Sequence, residues 1–196
     1  EINQPLTGVL TFASLLLKKF QDDEQTRKDL EIIVSETQRI RKIVHGVLDF
    51  ARETPVQKKP CSINEVIEKT LEIIVRQERF LGIILMTDLE SGLPPVLVDE
   101  NLMRQVFMNL ALNGIDSMKG KGTLTVRTRK INNYVEVDFS DTGTGISEDI
   151  MENIFDPFFS TKSSSEGSGV GLGLSVSYGI VRNHNGEITV SSVPGQ

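Results

Sequence analysis

Two glycine-rich segments in the C-terminal third carry the residues best suited to chemistry, Asp141-Thr-Gly-Thr-Gly-Ile146 and Gly167-Ser-Gly-Val-Gly-Leu-Gly-Leu174. In the second, glycines at positions 167, 169, 171 and 173 remove the Cβ from a backbone that can then approach a ligand closely and adopt φ > 0. The apolar run 174–181 reads as a helix. The loop therefore feeds a helix N-terminus, whose free N–H groups and partial positive charge suit an anion such as a phosphate. A hinge for a moving segment is the other use of such a run.

Asp141 closes a strand-like stretch and precedes two glycines, so its carboxylate has room to accept a hydrogen bond from an exocyclic amine such as adenine N6. An Asx-turn at the strand end is the simpler use of the same residues. Upstream lies Asn109-Leu-Ala-Leu-Asn113-Gly-Ile-Asp116-Ser117. Asn109 and Asn113 are i and i+4, share a helix face and can aim two amide oxygens at one point. Neutral amide oxygens are acceptable Mg²⁺ ligands beside substrate phosphates. A solvated helix face is the plain alternative. There is no Gly-x-x-x-x-Gly-Lys-Ser/Thr, so the loop is not a P-loop. Gly-x-Gly-x-x-Gly counted from Gly169 puts Leu174 at the third glycine, and the alternating βα units of a dinucleotide-binding fold are missing.

The elements that position these residues follow from periodicity. Ile2, Leu6, Val9, Ala13, Leu16 and Phe20 repeat at spacings of four and three, and Leu30, Ile33, Thr37, Ile40, Val44, Val47 and Ala51 repeat in the same way beyond the polar stretch 21–25. Two such seams predict an antiparallel helical hairpin. Further apolar residues beside the seams (Leu10, Leu17, Ile32, Ile43, Leu48) widen each stripe beyond what one two-helix contact covers. A homodimer forming a four-helix bundle covers the remainder.

Pro55 and Pro60 bracket a basic stretch, 56–59, read as a linker. Ser62 with Glu65 forms a capping-box pattern opening a helix through Val66, Ile67, Leu71, Ile74 and Val75. Strands are expected at 83–89 and 96–98. Asp99 is a good N-cap for a helix with an apolar face of Leu102, Val106, Leu110 and Ile115. Strands 124–129 and 134–139 are joined by a hairpin turn at Ile131-Asn-Asn133, and the chain ends in helix 174–183, a turn at Asn185-Gly186 and strand 187–193. The class is α+β: a helical hairpin, then helices on one side of a mostly antiparallel sheet in an α/β two-layer sandwich.

The chain has 196 residues, 38% of them hydrophobic, enough for one large or two small domains with a real core. A net charge of −6 argues against a nucleic-acid surface, which calls for a basic footprint. One cysteine, Cys61, excludes an internal disulfide and a multi-cysteine metal site, and fits a reducing, cytoplasmic setting. No run approaches membrane-spanning length, so no membrane contact is expected of these residues. The chain opens at Glu1 already in helical register, which reads as an excised fragment and leaves room for an upstream sensory or membrane-anchoring domain.

Taken in order, Asn109/Asn113, Asp141-Thr-Gly-Thr-Gly145, Phe155-Asp-Pro-Phe-Phe159 and Gly169-Val-Gly-Leu-Gly-Leu174 resemble the N, G1, F and G2 boxes of the sensor histidine kinases of two-component systems. The hairpin resembles that family's dimerisation and histidine-phosphotransfer domain, so the resemblance covers essentially the whole chain. It implies a phosphotransfer hairpin over 1–56 and a Bergerat-type ATP-binding domain over 57–196, with ATP and Mg²⁺ as cofactors. Asn113, with Asn109 beside the phosphates, would hold Mg²⁺. Asp141 would read the adenine amine, with Asp116, Gly143, Gly145 and Ile146 around the base. Gly169, Val170, Gly171, Leu172, Gly173 and Leu174 would line the triphosphate side. Phe155, Phe158 and Phe159 would root a lid over 160–168, with Thr161 and Lys162 reaching toward the phosphates.

The family's acceptor motif is His-Glu-x-x-x-Pro, whereas this chain begins Glu1-Ile-Asn-Gln-Pro5. The acceptor would stand immediately before Glu1, and neither His45 nor His184 replaces it by motif. The resemblance makes Glu1 the base for the imidazole proton. Gln4 stands where many relatives carry Thr or Asn to orient a water for dephosphorylating the partner. The chain as given is expected to bind ATP and dimerise but not to autophosphorylate. A response-regulator receiver domain would dock on the exposed face of the first helix, at Thr7, Leu10, Thr11 and Ser14. An ATP-driven clamp of the gyrase or chaperone kind, or a nucleotide-binding scaffold, are the readings from other classes. The N-terminal heptad hairpin distinguishes the kinase from the clamp, and phosphoryl transfer from ATP distinguishes it from the scaffold.

Overall fold

The computed structural model describes residues 3–20, 23–51, 56–161 and 171–194. The chain divides into two compact units, Glu1–Thr54 with Ser160–Leu172, and Pro55–Phe159 with Gly173–Gln196. Among the described residues no helix is long and apolar enough to cross a membrane.

The first unit is built on α1 (Asn3–Lys19) and α2 (Glu24–Ala51). Asp23 starts α2 by accepting from the Thr26 backbone N–H (3.1 Å) and hydroxyl (2.7 Å). Contact between the helices covers Leu6, Leu10, Ala13 and Leu17 on α1 and Leu30, Val34 and Thr37 on α2. The Thr37 hydroxyl donates to Ile33 O (2.7 Å), so its burial leaves no polar group unsatisfied. The expected seams are thereby corrected. Val9, Leu16, Phe20, Ile33 and Ile40 remain 39–46% exposed, and Phe12 is 70% exposed. At about 100° per residue, each helix carries two adjacent apolar stripes. Leu10 and Leu17, read as lying beside the seam, belong to the intrachain contact, while the other stripe faces outward.

In the second unit, β1 (Lys59–Cys61) pairs antiparallel with β3 (Val96–Val98). The stretch 56–59 is therefore not a free linker: the Gln57 N–H donates to Asp99 Oδ2 (3.0 Å), and Lys59 is in register with Val98. Cys61 is buried, with Sγ 3.7 Å from Val98 O. Between them run α3 (Ile63–Ile74), capped by the Ser62 hydroxyl accepting from Glu65 N–H (3.4 Å), a 3₁₀ turn (Glu78–Phe80) and β2 (Ile83–Leu89).

The central element is α4 (Glu100–Ser117). Its buried residues are Met103, Val106, Phe107, Ala111, Gly114 and Ile115, a face turned from the expected one, in which Leu102 and Leu110 are only half-buried. The cause is that α4 packs on both α3 and α6 (Gly173–Asn183) as well as on the sheet, so apolar residues on its flanks do not mark the middle of the core. Ile67, Ile74, Ile115, Leu124 and Val126 are at most 2% exposed, and each such burial contributes about 1.5–3 kcal/mol.

The main sheet has the order β2-β4-β5, with β4 (Gly122–Ile131) parallel to β2 and antiparallel to β5 (Tyr134–Asp141). The hairpin turn uses Asn132 at φ +54. A four-residue helix, α5 (Glu148–Met151), follows. The expected strand over 187–193 does not form: these residues join no ladder. Their alternation is compatible with a strand, but the segment is held by the Ser192 hydroxyl, which accepts from Ile146 N–H (2.9 Å), and by the Val193 carbonyl packed against Gly145.

Asp99 joins three elements. Its Oδ1 caps α4 by accepting from Asn101 N–H (3.0 Å) and Leu102 N–H (3.3 Å), its Oδ2 takes Gln57 N–H, and its own N–H donates to His184 Nε2 (3.0 Å). Partial burial pushes the carboxyl up, but these N–H donors and the His184 imidazole outweigh it and leave the pKa below the ordinary carboxylate value. A lowered folded pKa means the stabilisation is complete above the unfolded value and is lost as pH falls through the folded one. Asp99→Ala is expected to cost about 1–2 kcal/mol at neutral pH, as loss of a strong N-cap does. Urea denaturation of variant and parent should show that difference shrinking as pH falls through and below the carboxylate range.

Candidate functional site

The strand alternation of β5 determines where Asp141 points. Val135, Val137 and Phe139 are half-buried and alternate with exposed Tyr134, Glu136 and Asp138. Asp141 continues the inward row and lies directly opposite Leu124, which is buried at 1%. An apolar row thus ends in a carboxylate on the helix side of the sheet, and a one-residue slip in register would turn it outward. There Asp141 Oδ1 accepts from the Ser117 hydroxyl (2.7 Å) and from Gly143 N–H (2.9 Å). The second bond is the Asx-turn foreseen as an alternative, and it engages only one oxygen. Among the described residues Oδ2 has no hydrogen-bond donor.

Two residues beside this carboxylate have to be glycine, and a third leaves little space for a side chain. A Cβ on Gly143 would stand 1.8 Å from Ser117 Oγ and 2.6 Å from Asp141 Oδ1. A Cβ on Gly114, where α4 crosses the strand end, would meet Asp141 Cβ and Oδ2 at 3.2 Å. Gly145 has φ +70, and a Cβ there would meet Val193 O at 2.5 Å. Next to it the Ile146 N–H is taken by Ser192.

Along α4, Asn109, Asn113 and Ser117 fall on one row at i, i+4 and i+8, spanning about 12 Å of helix rise. Asn109 Nδ2 donates to Gly173 O (3.1 Å) and to Ser177 Oγ (3.3 Å), which ties the start of α6 to α4 and leaves Asn109 Oδ1 unengaged among the described residues. Asn113 is half-buried, and its amide has no partner among them. Two free amide oxygens one turn apart fit a hard cation that keeps most of its ligands from water or substrate. Among the described residues no group of three His, Cys, Asp or Glu side chains could hold a metal by itself. Asp116 lies off this row and pairs with Arg79 (3.5 Å).

The structure therefore brings Asn109 together with Gly173, and Asp141 together with Gly143. Gly171 has φ +74, Leu172 is buried, Leu174 is half-buried and Thr161 is exposed. Glu1, Lys162, Gly169, Val170 and most of the expected lid lie outside the described residues. Phe155 packs on Tyr178, with ring centroids 5.4 Å apart, and Phe159 is half-buried. Phe158 is 59% exposed at φ +68, a conformation that a bulky residue rarely adopts outside constrained sites. Both nitrogens of His184 are occupied, Nδ1 with Ile180 O (2.7 Å) and Nε2 with Asp99 N–H. The ring serves as a clip between α6 and the start of α4.

Sequence reasoning assigned no role to Ser117, Gly114, Ser192 or His184. Extending the i, i+4 row of asparagines by one step reaches Ser117, so that signal was available. The other three depend on which segments cross. Gly143→Ala is expected to break the Ser117–Asp141 bond and, by overpacking, to cost about 1–3 kcal/mol. Thermal unfolding checks it, with Gly179→Ala, where a Cβ meets nothing within 4 Å, as a control that should not destabilise.

Residues 98–196 match the family described as histidine kinase-, DNA gyrase B-, and HSP90-like ATPase, and residues 1–55 match the His Kinase A (phospho-acceptor) domain. The chain is 29% identical over its full length to the signal transduction histidine-protein kinase AtoS of Escherichia coli (strain K12), covering 31% of that protein. It is 33% identical to the sensory histidine kinase/phosphatase NtrB of Rhodobacter capsulatus, all of the chain aligning with 57% of that protein. Full-length ShkA, solved in complex with AMPPNP, superposes over the whole chain with a TM-score of 0.79 at 26% identity, covering 42% of ShkA. The chain thus spans between about a third and three fifths of the length of these proteins.

Proposed function

Because the chain belongs to the sensor histidine kinases, we propose that it is the ATP-dependent kinase core of a two-component system, phosphorylating a histidine and passing the phosphoryl group to an aspartate of a response regulator. The observation that carries this reading is the inward-facing Asp141, with Oδ1 held by Ser117 and Gly143 and Oδ2 left to accept from an amine. An adenine N6 amine is a donor of the right kind. The unengaged amide oxygen of Asn109 and the amide of Asn113 lie on the same helix row, so the base sits toward Ser117 and the phosphates toward Asn109.

In this reading Asn113 is the principal Mg²⁺ ligand, with Asn109 beside it. When bound, the cation neutralises charge on the β- and γ-phosphate oxygens. Gly169, Gly171 and Gly173 let the backbone approach the triphosphate, and the Asn109–Gly173 bond ties the start of α6 to the helix carrying the metal ligands. Asp116, Ile146, Phe159, Thr161, Val170, Leu172 and Leu174 complete the nucleotide's surroundings. Lys162 pairs with the γ-phosphate. Nε2 of a histidine placed immediately before Glu1 attacks the γ-phosphorus, the bond to the β-phosphate oxygen breaks, ADP leaves, and Glu1 takes the imidazole proton. His184 is unsuited as acceptor because both its nitrogens are engaged.

The outward stripe of Val9, Phe12, Leu16 and Phe20 with Ile33 and Ile40 supports a homodimer, since two copies can bury it in a four-helix bundle. The groove lined by Thr7, Leu10, Thr11, Ser14, Lys18 and Arg41 supports a response-regulator receiver domain as the docking partner, its two cations suiting an acidic active site. The hairpin sets this reading apart from that of a conformational clamp.

Two measurements test it. The chain extended by one histidine before Glu1 should incorporate label from ATP and Mg²⁺ as acid-labile, base-stable phosphate, whereas the chain as given should not. Absence of label in an extended chain that still binds ATP would sink the kinase reading. Asn113→Ala should weaken Mg²⁺–ATP binding on the order of tenfold or more while unfolding stays cooperative. Unchanged affinity by titration calorimetry would remove Asn113 from the site.

A further inference from the structure

We propose that Ser117 is a positioning residue for base recognition: its hydroxyl turns the Asp141 carboxylate so that Oδ2 alone faces the exocyclic amine of a purine. The inference rests on the adenine reading of Asp141 above. A carboxylate has a broad torsion about its last bond, so nothing in Asp141 itself distinguishes its two oxygens. The Gly143 N–H bond is local and forms in any Asx-turn at this strand end. The Ser117 bond is different in kind. It links α4 to the end of β5 across 24 residues of sequence at 2.7 Å, and it relates the carboxylate to the helix that carries Asn109 and Asn113.

The surroundings are shaped to this bond. The loop closes over the hydroxyl at Gly143, where any side chain would stand 1.8 Å from Ser117 Oγ. On the opposite side the missing side chain of Gly114 leaves room beside Oδ2. The Ser117 hydroxyl also lies 2.7 Å from Gly114 O, so its one proton is shared between a carbonyl and a carboxylate, and the charged acceptor makes the stronger bond. With Oδ1 occupied twice, a donor in the plane of the base has one acceptor and one direction of approach. Without the hydroxyl the carboxylate is held at Oδ1 by the Gly143 N–H alone and loses its tie to α4, and the energetic distinction between a purine that carries the amine and one that lacks it shrinks.

The test compares two nucleotides on the same 196-residue chain. Dissociation constants are measured by titration calorimetry for ATP and for purine riboside triphosphate, which lacks the amine, both with Mg²⁺. The parent should prefer ATP, and Ser117→Ala should lose about three- to tenfold in ATP affinity, the scale of the net contribution of one ordinary hydrogen bond, with little change for the amine-free analogue. An equal loss for both nucleotides would reduce Ser117 to a packing role and overturn the proposal, as would no loss for either. A parent that binds both nucleotides equally overturns the adenine reading itself, which separates its failure from that of the Ser117 inference.

Discussion

Everything in the nucleotide-binding unit depends on α4 serving as core and as wall at once. One face fills the interior with Met103, Val106, Phe107, Ala111 and Ile115, and the adjoining row keeps Asn109, Asn113 and Ser117 partly open. A helix so deeply packed cannot shift without breaking the core, because interiors are close-packed and tolerate little rearrangement. The polar row inherits that rigidity. Preorganised amides and hydroxyls do not have to be ordered when a ligand arrives, which is where a rigid scaffold contributes to affinity.

The helix is fastened along its length by polar contacts of unlike kinds. At its start Asp99 caps it and holds the segment leading into β1 through Gln57, while His184 clips the end of α6 to the same residue. Midway Asn109 takes the carbonyl of Gly173, where the glycine loop becomes α6. At its end Ser117 takes Asp141 from the sheet. Contacts near either end of α6 run to α4, so the two helices are tied at both ends of α6.

The hairpin presents a different problem. Two helices bury one stripe between them and leave another, of Val9, Phe12, Leu16 and Phe20, in water. A contiguous apolar surface of that kind on a two-helix unit has few uses other than association. Its position next to the intrachain stripe is the geometry from which a bundle is built. The heptad reading merged the two stripes because spacings of three and four are satisfied by either.

Much of this was legible in the chain. The hairpin, the Asp99 cap, β2 to β5 and the closing helix all follow from local rules, because periodicity, capping and turn chemistry act between residues close in sequence. The four boxes were legible for the same reason: residue types at short spacings specify which groups a loop or helix face can present. What the sequence left undecided is what depends on partners distant along the chain. Whether 187–193 joins a ladder, which flank of α4 lies deepest, and which of two apolar stripes each hairpin helix buries are outcomes of competition among packing surfaces. The same holds for Asp141. Its type and position announced a carboxylate beside a glycine turn, but only the register opposite Leu124 turns it inward, and only the crossing of α4 supplies the Ser117 hydroxyl and the gap at Gly114. Local chemistry chooses the groups, and long-range packing chooses which atom of each remains free to bind.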